Sequence, residues 1–179
     1  FECDFAGEGL DVYQWQSAHN PSPYAAYIRG HGFSIVSASP EMFVLVEGDR
    51  LVTRPIKGTR ERVLDGPGAE QENRERIAEL LACEKEKAEL NMIVDLERND
   101  ITRVCRYGSI RVSQGRTVES WPTVHHAVAT VEGRLREKLG AGNFCELLRA
   151  VFPGGSITGA PKVRAMQIID ELELTQRGV

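Results

Sequence analysis

Four short apolar segments, separated by turn-forming residues, constrain most strongly how this chain can fold. They are residues 24–28, 33–37, 42–46 and 51–56. Each has the length and composition of a strand, and glycine or proline occurs in the breaks between them. Short connections join antiparallel strands, since a parallel pair needs a longer crossover. The sequence therefore predicts an antiparallel meander.

Lys57 closes this predicted meander, between the step Pro55-Ile56 and the turn Gly58-Thr59. Proline fixes its own φ, and glycine lets the chain turn sharply and approach a ligand closely. We therefore expect Lys57 at a strand end, with its amine held in one direction. The alternative is an ordinary solvated lysine in a turn.

Glu41 stands at the start of the predicted strand 42–46, within the segment Ser39-Pro40-Glu41. Two strands joined by a short turn can bring a carboxyl group and an amine onto one face of a sheet. The pattern therefore allows Glu41 and Lys57 to face the same side.

Helical periodicity indicates helices at residues 9–18, 70–82, 84–105, 144–151 and 163–172. In the third of these, Glu86 and Glu89 fall on a stripe with Ile93 and Leu96 that is otherwise marked for burial. Burying an unpaired carboxylate is costly. Metal ligation and a salt bridge to Lys or Arg are the two solutions that the pattern leaves open.

Two further stretches carry candidate site residues. His126 shares a face of the predicted strand 124–131 with two valines, where a hydrogen-bonded core histidine is more common than a ligand. Residues 152–162, with the sequence FPGGSITGAPK, leave backbone N–H groups free at a helix start, which could bind a phosphate or a carboxylate. The alternative is a tight connection, and the spacing is not that of a Walker loop.

Charge and composition exclude several classes of function. The chain has 22 Lys and Arg against 26 Asp and Glu, without the basic block that binds nucleic acid. No apolar run approaches the ~20 residues that span a bilayer, and no signal peptide is evident. We expect no membrane or nucleic-acid partner and a cytoplasmic location. The four cysteines are scattered singly, so they do not form a zinc or redox motif.

Five motifs occur in a fixed order along the chain: SPE, RPIKGT, AELNMIVDLERND, VHHAVATVEG and FPGGSITGAPKVRAMQIIDELE. Together they resemble the chorismate-utilising enzymes, from about Asn20 to Val179. The resemblance implies an α+β fold of two packed, mainly antiparallel sheets with outer helices. It also implies that residues 1–179 are a partial catalytic domain, lacking N-terminal and C-terminal segments, so we expect the isolated chain to be inactive.

The resemblance also implies roles for individual residues. Glu89 matches a magnesium ligand, with Glu86 one turn back in the outer shell, as suits a cation that takes one or two carboxylates and retains waters. Glu41 resembles a general acid that helps the ring hydroxyl of chorismate to leave. The remaining matches are substrate-contacting or pocket positions: Gly58, Thr59, His126 and Thr158.

Lys57 indicates the branch of the family. PIKGT resembles aminodeoxychorismate synthase component I, whose lysine is thought to add to the chorismate ring before ammonia displaces it to give 4-amino-4-deoxychorismate, a precursor of p-aminobenzoate and folate. The ammonia would come from a glutamine amidotransferase subunit or domain. Anthranilate synthase component I, which commonly has alanine at this position, is the alternative. A non-catalytic fragment or paralogue that docks an amidotransferase is another.

Overall fold

The computed structural model describes residues 5–140 and 142–174. The chain divides into two compact units, residues 1–42 and 43–179. In chain order, the elements are α1 (Gly9–His19), β1 (Tyr24–Arg29), β2 (Ser34–Ser39), β3 (Met42–Glu47), β4 (Arg50–Arg54), β5 (Ile56–Glu61), α2 (Ala69–Ala82), α3 (Glu84–Thr102), β6 (Arg111–Ser120), β7 (Val124–Arg134), α4 (Phe144–Val151), α5 (Gly155–Thr158) and α6 (Lys162–Leu172).

The smaller unit contains α1 and the antiparallel pair β1–β2. The pairing runs in register from Tyr24 opposite Ser39 to Arg29 opposite Ser34. Helix α1 lies close to this pair, because a Cβ atom on Gly9 would be only 2.8 Å from Cβ of Ser34. The helix and both strands predicted from the sequence in this region are confirmed.

The larger unit is built on a five-stranded sheet in which β7 is the longest strand. Strand β3 pairs with β4, while β4 and β5 both pair antiparallel with one edge of β7 and β6 pairs with its other edge. The predicted single meander is therefore wrong: β1 and β2 form their own sheet, and the strand with which β4 and β5 both pair follows some seventy residues later. Nine consecutive residues of β7 are buried, and this strand forms the centre of the sheet.

Strand β6 is also longer than predicted. The sequence indicates a strand only over residues 109–112, with Gly115 as a break, whereas β6 continues through Gly115 to Ser120. Two register shifts against β7 absorb the irregularity. A strand can retain an internal glycine where a bulge relieves the ladder, so the glycine does not end the pairing here.

The hydrophobic core of the larger unit lies between the sheet and the helices α3 and α4. Its buried members are Leu51, Leu90, Val94, Ile101, Cys105, Ala129, Val131, Leu135, Leu147, Ala150 and Val151. The described residues thus form an α+β fold with antiparallel sheets, as the sequence predicts. Among the described helices, none combines the length and apolarity needed to cross a bilayer.

Candidate functional site

Lys57 lies at a bulge between β5 and β7 instead of at a strand end. Ile56 pairs with Val128 and Thr59 pairs with His126, so three steps along β5 oppose two steps along β7. Gly58 adopts φ +99° at this point, a conformation that favours glycine. A bulge inserts one extra residue and redirects the neighbouring side chains. The predicted turn is therefore a local distortion within pairing that continues to Glu61.

The amine of Lys57 contacts one residue of the helical turn α5. Its half-buried Nζ donates to the Oγ of Ser156 at 2.9 Å and to the backbone carbonyl of Ser156 at 3.2 Å. The two residues are 99 positions apart in the sequence. Lys57 is thus not the solvated turn lysine that the sequence left as an alternative.

Close packing of two glycines determines where Ser156 lies. A Cβ atom on Gly155 would be 2.5 Å from Leu96 of α3, and one on Gly154 would be 3.1 Å from the Phe43 ring of β3. Only glycine allows the backbone of α5 to approach these side chains so closely. The Oγ1 of Thr158, a predicted pocket residue, donates to the Gly154 carbonyl at 3.0 Å and closes the turn.

Thr59 and His126, two further predicted site residues, contact each other across the β5–β7 pair. The Thr59 Oγ1 and the His126 Nδ1 are 2.9 Å apart. His126 is 8% exposed, and burial lowers the pKa of its imidazole while Glu119 opposes this shift. The histidine is therefore held in its neutral form near neutral pH, in the hydrogen-bonded arrangement that the sequence favours.

Glu86 lies beside Gly58 and is bound by arginines. Its Oε1 accepts a hydrogen bond from Nη1 of Arg60 at 3.0 Å, and Nη2 of Arg116 lies 3.9 Å from its Oε2. The Arg60 hydrogen bond lowers the pKa of the Glu86 carboxyl, with burial opposing the shift. The Oε2 atom is buried and has no hydrogen-bond partner. Of the two solutions that the sequence left open for this stripe, Glu86 therefore has the salt bridge.

Glu89 does not lie on the buried face of α3. Its side chain is 45% exposed, and its nearest cation is the Lys85 amine at 4.0 Å. The buried face carries other carboxylates: Glu97 accepts a hydrogen bond from Thr53 at 2.8 Å, and Asp100 pairs with Lys162. Across residues 5–140 and 142–174, no three His, Cys, Asp or Glu side chains are grouped so as to hold a metal ion.

Glu41 belongs to the smaller unit, in which Ser39 contacts its backbone. The Ser39 hydroxyl accepts a hydrogen bond from the Glu41 backbone N–H at 3.2 Å and donates to the Glu41 carbonyl at 3.1 Å. This fixes the backbone immediately before β3. The role of Glu41 as a general acid stays a prediction, as do the site roles of the residues in the larger unit.

Sequence reasoning missed the partners of the predicted residues. Ser156, Arg60 and Arg116 contact Lys57 or Glu86 but were not singled out. Ser156 lies in a glycine-rich stretch whose sequence pattern points only to its backbone N–H groups. Arg116 also donates to the carbonyls of Leu81 and Cys83 at the end of α2, a capping role that leaves no local sequence signal.

Comparison with known proteins shows which protein family the chain matches. The sequence model for chorismate binding enzymes matches residues 1–179. Aminodeoxychorismate synthase component 1 of Bacillus subtilis is 48% identical over 169 residues, which are 94% of this chain and 34% of that protein. Anthranilate synthase component 1 3 of Haloarcula marismortui is also 48% identical, over 94% of this chain and 32% of that protein.

A solved structure agrees with the sequence comparisons. Anthranilate synthase component I from Streptococcus pneumoniae superposes with a TM-score of 0.80 at 36% identity, covering 98% of this chain and 37% of the other. The chain thus spans about a third of the length of these relatives. Because the family's sequence model extends from the first residue to the last, the chain belongs to the chorismate binding enzymes.

Proposed function

We propose that the protein acts as aminodeoxychorismate synthase component I, converting chorismate and ammonia to 4-amino-4-deoxychorismate for p-aminobenzoate and folate synthesis. The observation that carries this proposal is Lys57, a half-buried amine fixed at a strand bulge by its hydrogen bonds to Ser156. The similarity to the Bacillus subtilis aminodeoxychorismate synthase component 1 supports the same branch.

In the proposed reaction Lys57 is the nucleophile. Its neutral amine forms a C–N bond to the chorismate ring as the ring C–O bond to the hydroxyl breaks, which gives a secondary ammonium adduct. Glu41 supplies the proton with which the hydroxyl leaves as water. Ammonia then forms the new C–N bond as the bond to Lys57 breaks, so the neutral lysine amine is regenerated and the product ammonium returns one proton to the general acid. The enolpyruvyl group is retained throughout.

We propose that Gly58, Thr59, His126 and Thr158 line the substrate pocket. The hydroxyl of Thr59, an exposed residue of β5, is oriented by its contact with His126. A neutral imidazole can orient a hydroxyl without adding a positive charge to the pocket. This supports a binding role for Thr59 and a positioning role for His126.

Magnesium is the proposed cofactor, and the carboxylates of α3 are compatible with it. The side chain of Glu89 is 45% exposed, and its contact with Lys85 is loose at 4.0 Å, so its carboxylate is available as a ligand. Glu86 is held ionised by Arg60, so its negative charge would stabilise a cation bound one helical turn away. Two arginines beside Glu86 disfavour direct ligation there, which supports the outer-shell role. When bound, magnesium would supply a positive charge that orients and neutralises substrate carboxylate.

The proposed partner is a glutamine amidotransferase, as a subunit or a fused domain, which would deliver the ammonia. The term component 1 in the names of the relatives is consistent with a second component. A cytoplasmic location stays part of the proposal.

Anthranilate synthase component I is the second candidate. One relative with this name is 48% identical to the chain, and the solved structure from Streptococcus pneumoniae has the same name. Lys57 argues against it, because anthranilate synthases commonly have alanine at the position that this lysine matches. A non-catalytic role in docking an amidotransferase is the third candidate.

Product analysis distinguishes these candidates. The intact protein is incubated with chorismate, ammonia and magnesium, and the products are separated by chromatography. We expect aminodeoxychorismate from the unchanged protein and its loss in Lys57→Ala, with chorismate binding retained. Release of pyruvate with anthranilate would identify the second candidate, and absence of any turnover would favour the third. Lys138→Ala is a matched control, since this exposed lysine lies in the connection between β7 and α4.

A further inference from the structure

We infer that Ser156 is a positioning residue that aims the Lys57 amine at the substrate. This inference rests on the proposed function and adds a residue to its machinery. It is motivated by the two hydrogen bonds that one serine receives from one amine, at 2.9 Å to Oγ and 3.2 Å to the backbone carbonyl.

Because the amine is tetrahedral, these two hydrogen bonds restrict the direction of its remaining position. Nζ is tetrahedral and is bonded to Cε, so three directions remain for hydrogens or a lone pair. Ser156 occupies two of these directions. The third carries the last proton of the ammonium form and the lone pair of the neutral form. Ser156 therefore sets the direction in which Lys57 can attack.

Both ends of this contact are held firmly. On the lysine side, Pro55 precedes the bulge and its carbonyl accepts from the Ala129 backbone at 3.2 Å, so the chain is paired with β7 immediately before Lys57. On the serine side, the absence of a side chain at Gly155 lets α5 pack closely against Leu96. A flexible four-carbon side chain anchored at both ends loses most of its orientational freedom before substrate binds.

The connection that follows α5 is anchored too. Lys162 starts α6 and binds the buried carboxylate of Asp100 on α3, as well as the Val151 carbonyl at 3.3 Å. The segment that carries Ser156 is thus bounded by glycine packing on one side and by a buried ion pair on the other. Its position relative to β5 does not depend on the Lys57 contact itself.

The test uses steady-state kinetics of the intact protein with Ser156→Ala, which removes the Oγ acceptor and keeps the carbonyl. Misorientation of a reacting group costs up to about 100-fold in rate, so we expect kcat for aminodeoxychorismate to fall by about tenfold or more. KM for chorismate should stay within about twofold, because Oγ is directed at Lys57. Ser156→Thr retains the hydroxyl and should recover most of the rate.

Two controls separate aiming from a structural effect. Ser109→Ala removes a hydroxyl that donates to the Arg106 carbonyl, far along the sequence from both partners, and should leave the kinetics unchanged. Adding Ser156→Ala to Lys57→Ala should not change the residual rate of chorismate loss, since no amine remains to be aimed. Melting temperatures of all variants verify that each is folded.

Each outcome supports or refutes the positioning role of Ser156. If the unchanged protein makes aminodeoxychorismate and Ser156→Ala makes it equally fast, the role of Ser156 is refuted and the proposed function stands. Parallel changes in kcat and KM, failure of Ser156→Thr to recover the rate, or an equal loss in the Lys57→Ala background would assign Ser156 a structural role only. If the unchanged protein makes no aminodeoxychorismate, the proposed function fails and this inference fails with it.

Discussion

The Cβ atom that Gly58 lacks would lie 2.9 Å from the Oε2 atom of Glu86. It would also lie 2.8 Å from Cδ1 of Leu80, which is completely buried. The bulge therefore brings the backbone of β5 into direct contact with the start of α3. Gly58 is required here for two independent reasons, its φ of +99° and this close approach.

Replacing Gly58 by alanine should destabilise the protein by about 2–4 kcal/mol, because backbone strain and steric overlap add. Gly48→Ala is the matched control: Gly48 also has a positive φ, +64°, but a Cβ atom there would meet nothing within 4 Å. It should cost only about 1–2 kcal/mol. Chemical unfolding of both variants measures the difference, and equal losses would show that the contact with Glu86 and Leu80 relaxes without cost.

The sequence predicted local structure better than the partners of the site residues. Helices α1, α2, α4 and α6 and the strands β1 to β3 follow from periodicity and turn residues, which are local signals. The bulge at Lys57 depends on the register with β7, and the Lys57–Ser156 contact joins residues 99 positions apart. Neither can be read from a local window.

The buried face of α3 differs from the stripe that periodicity predicts. The predicted stripe included Glu86 and Glu89, whereas the buried residues are Leu90, Ile93, Val94, Glu97, Asp100 and Ile101. The true stripe is rotated around the helix axis, and its carboxylates are Glu97 and Asp100. Periodicity locates an apolar face only to within about one residue when acidic side chains flank it on both sides. The sheet and α4 determine which face is covered.

The magnesium proposal predicts that two carboxylates of α3 contribute to magnesium binding and that a third does not. Glu86→Gln should weaken magnesium binding by about 10–100-fold, as expected of an outer-shell residue. Glu89→Gln should weaken it at least as much, because it replaces the proposed ligand. Calorimetric titration of the intact protein with magnesium measures binding without relying on turnover. Glu84→Gln, an exposed carboxylate of the same helix paired only with Lys87 among the described contacts, is the control, and an equal effect there would contradict the assignment.

Glu132 predicts an acid-dependent loss of stability. This carboxylate is 5% exposed and accepts hydrogen bonds from Arg50 and Arg111, which lower its pKa from 4.5. Between pH 4.5 and the lower folded pKa, the unfolded state binds more protons than the folded state. Stability from this group is therefore complete above about pH 5 and is lost as the pH falls.

Glu132→Gln should lower the free energy of unfolding at pH 7 by about 1–3 kcal/mol, because two guanidinium groups lose their charged partner. The acid limb of the stability profile should become shallower in this variant. Urea unfolding between pH 3.5 and pH 7 measures both effects. Glu137→Gln changes an exposed carboxylate and should stay within about 0.5 kcal/mol of the unchanged protein. An unchanged acid limb in Glu132→Gln would show that other carboxylates dominate it.

The adjacent histidines of β7 predict a second loss of stability on acidification, which begins at a higher pH than that of Glu132. Burial lowers the pKa of both His125 and His126 from 6.5, and Arg62 and Arg76 add to the shift at His125. His125 makes hydrogen bonds with Ser120 at 2.7 Å and with Asn73 at 3.1 Å. As the pH falls below 6.5, the unfolded chain takes up protons that the folded imidazoles do not. Stability is therefore complete above this pH and declines below it.

The decline can reach at most about 1.4 kcal/mol per pH unit for each histidine. Urea unfolding between pH 5 and pH 8 should show this slope in the unchanged protein, above the range in which the carboxylates titrate. His125→Gln and His126→Gln should each remove part of the slope, and the double variant should remove most of it. Each substitution also costs stability at pH 8, so the slope and not the absolute value is compared. A slope that persists in the double variant would mean that other groups take up the protons.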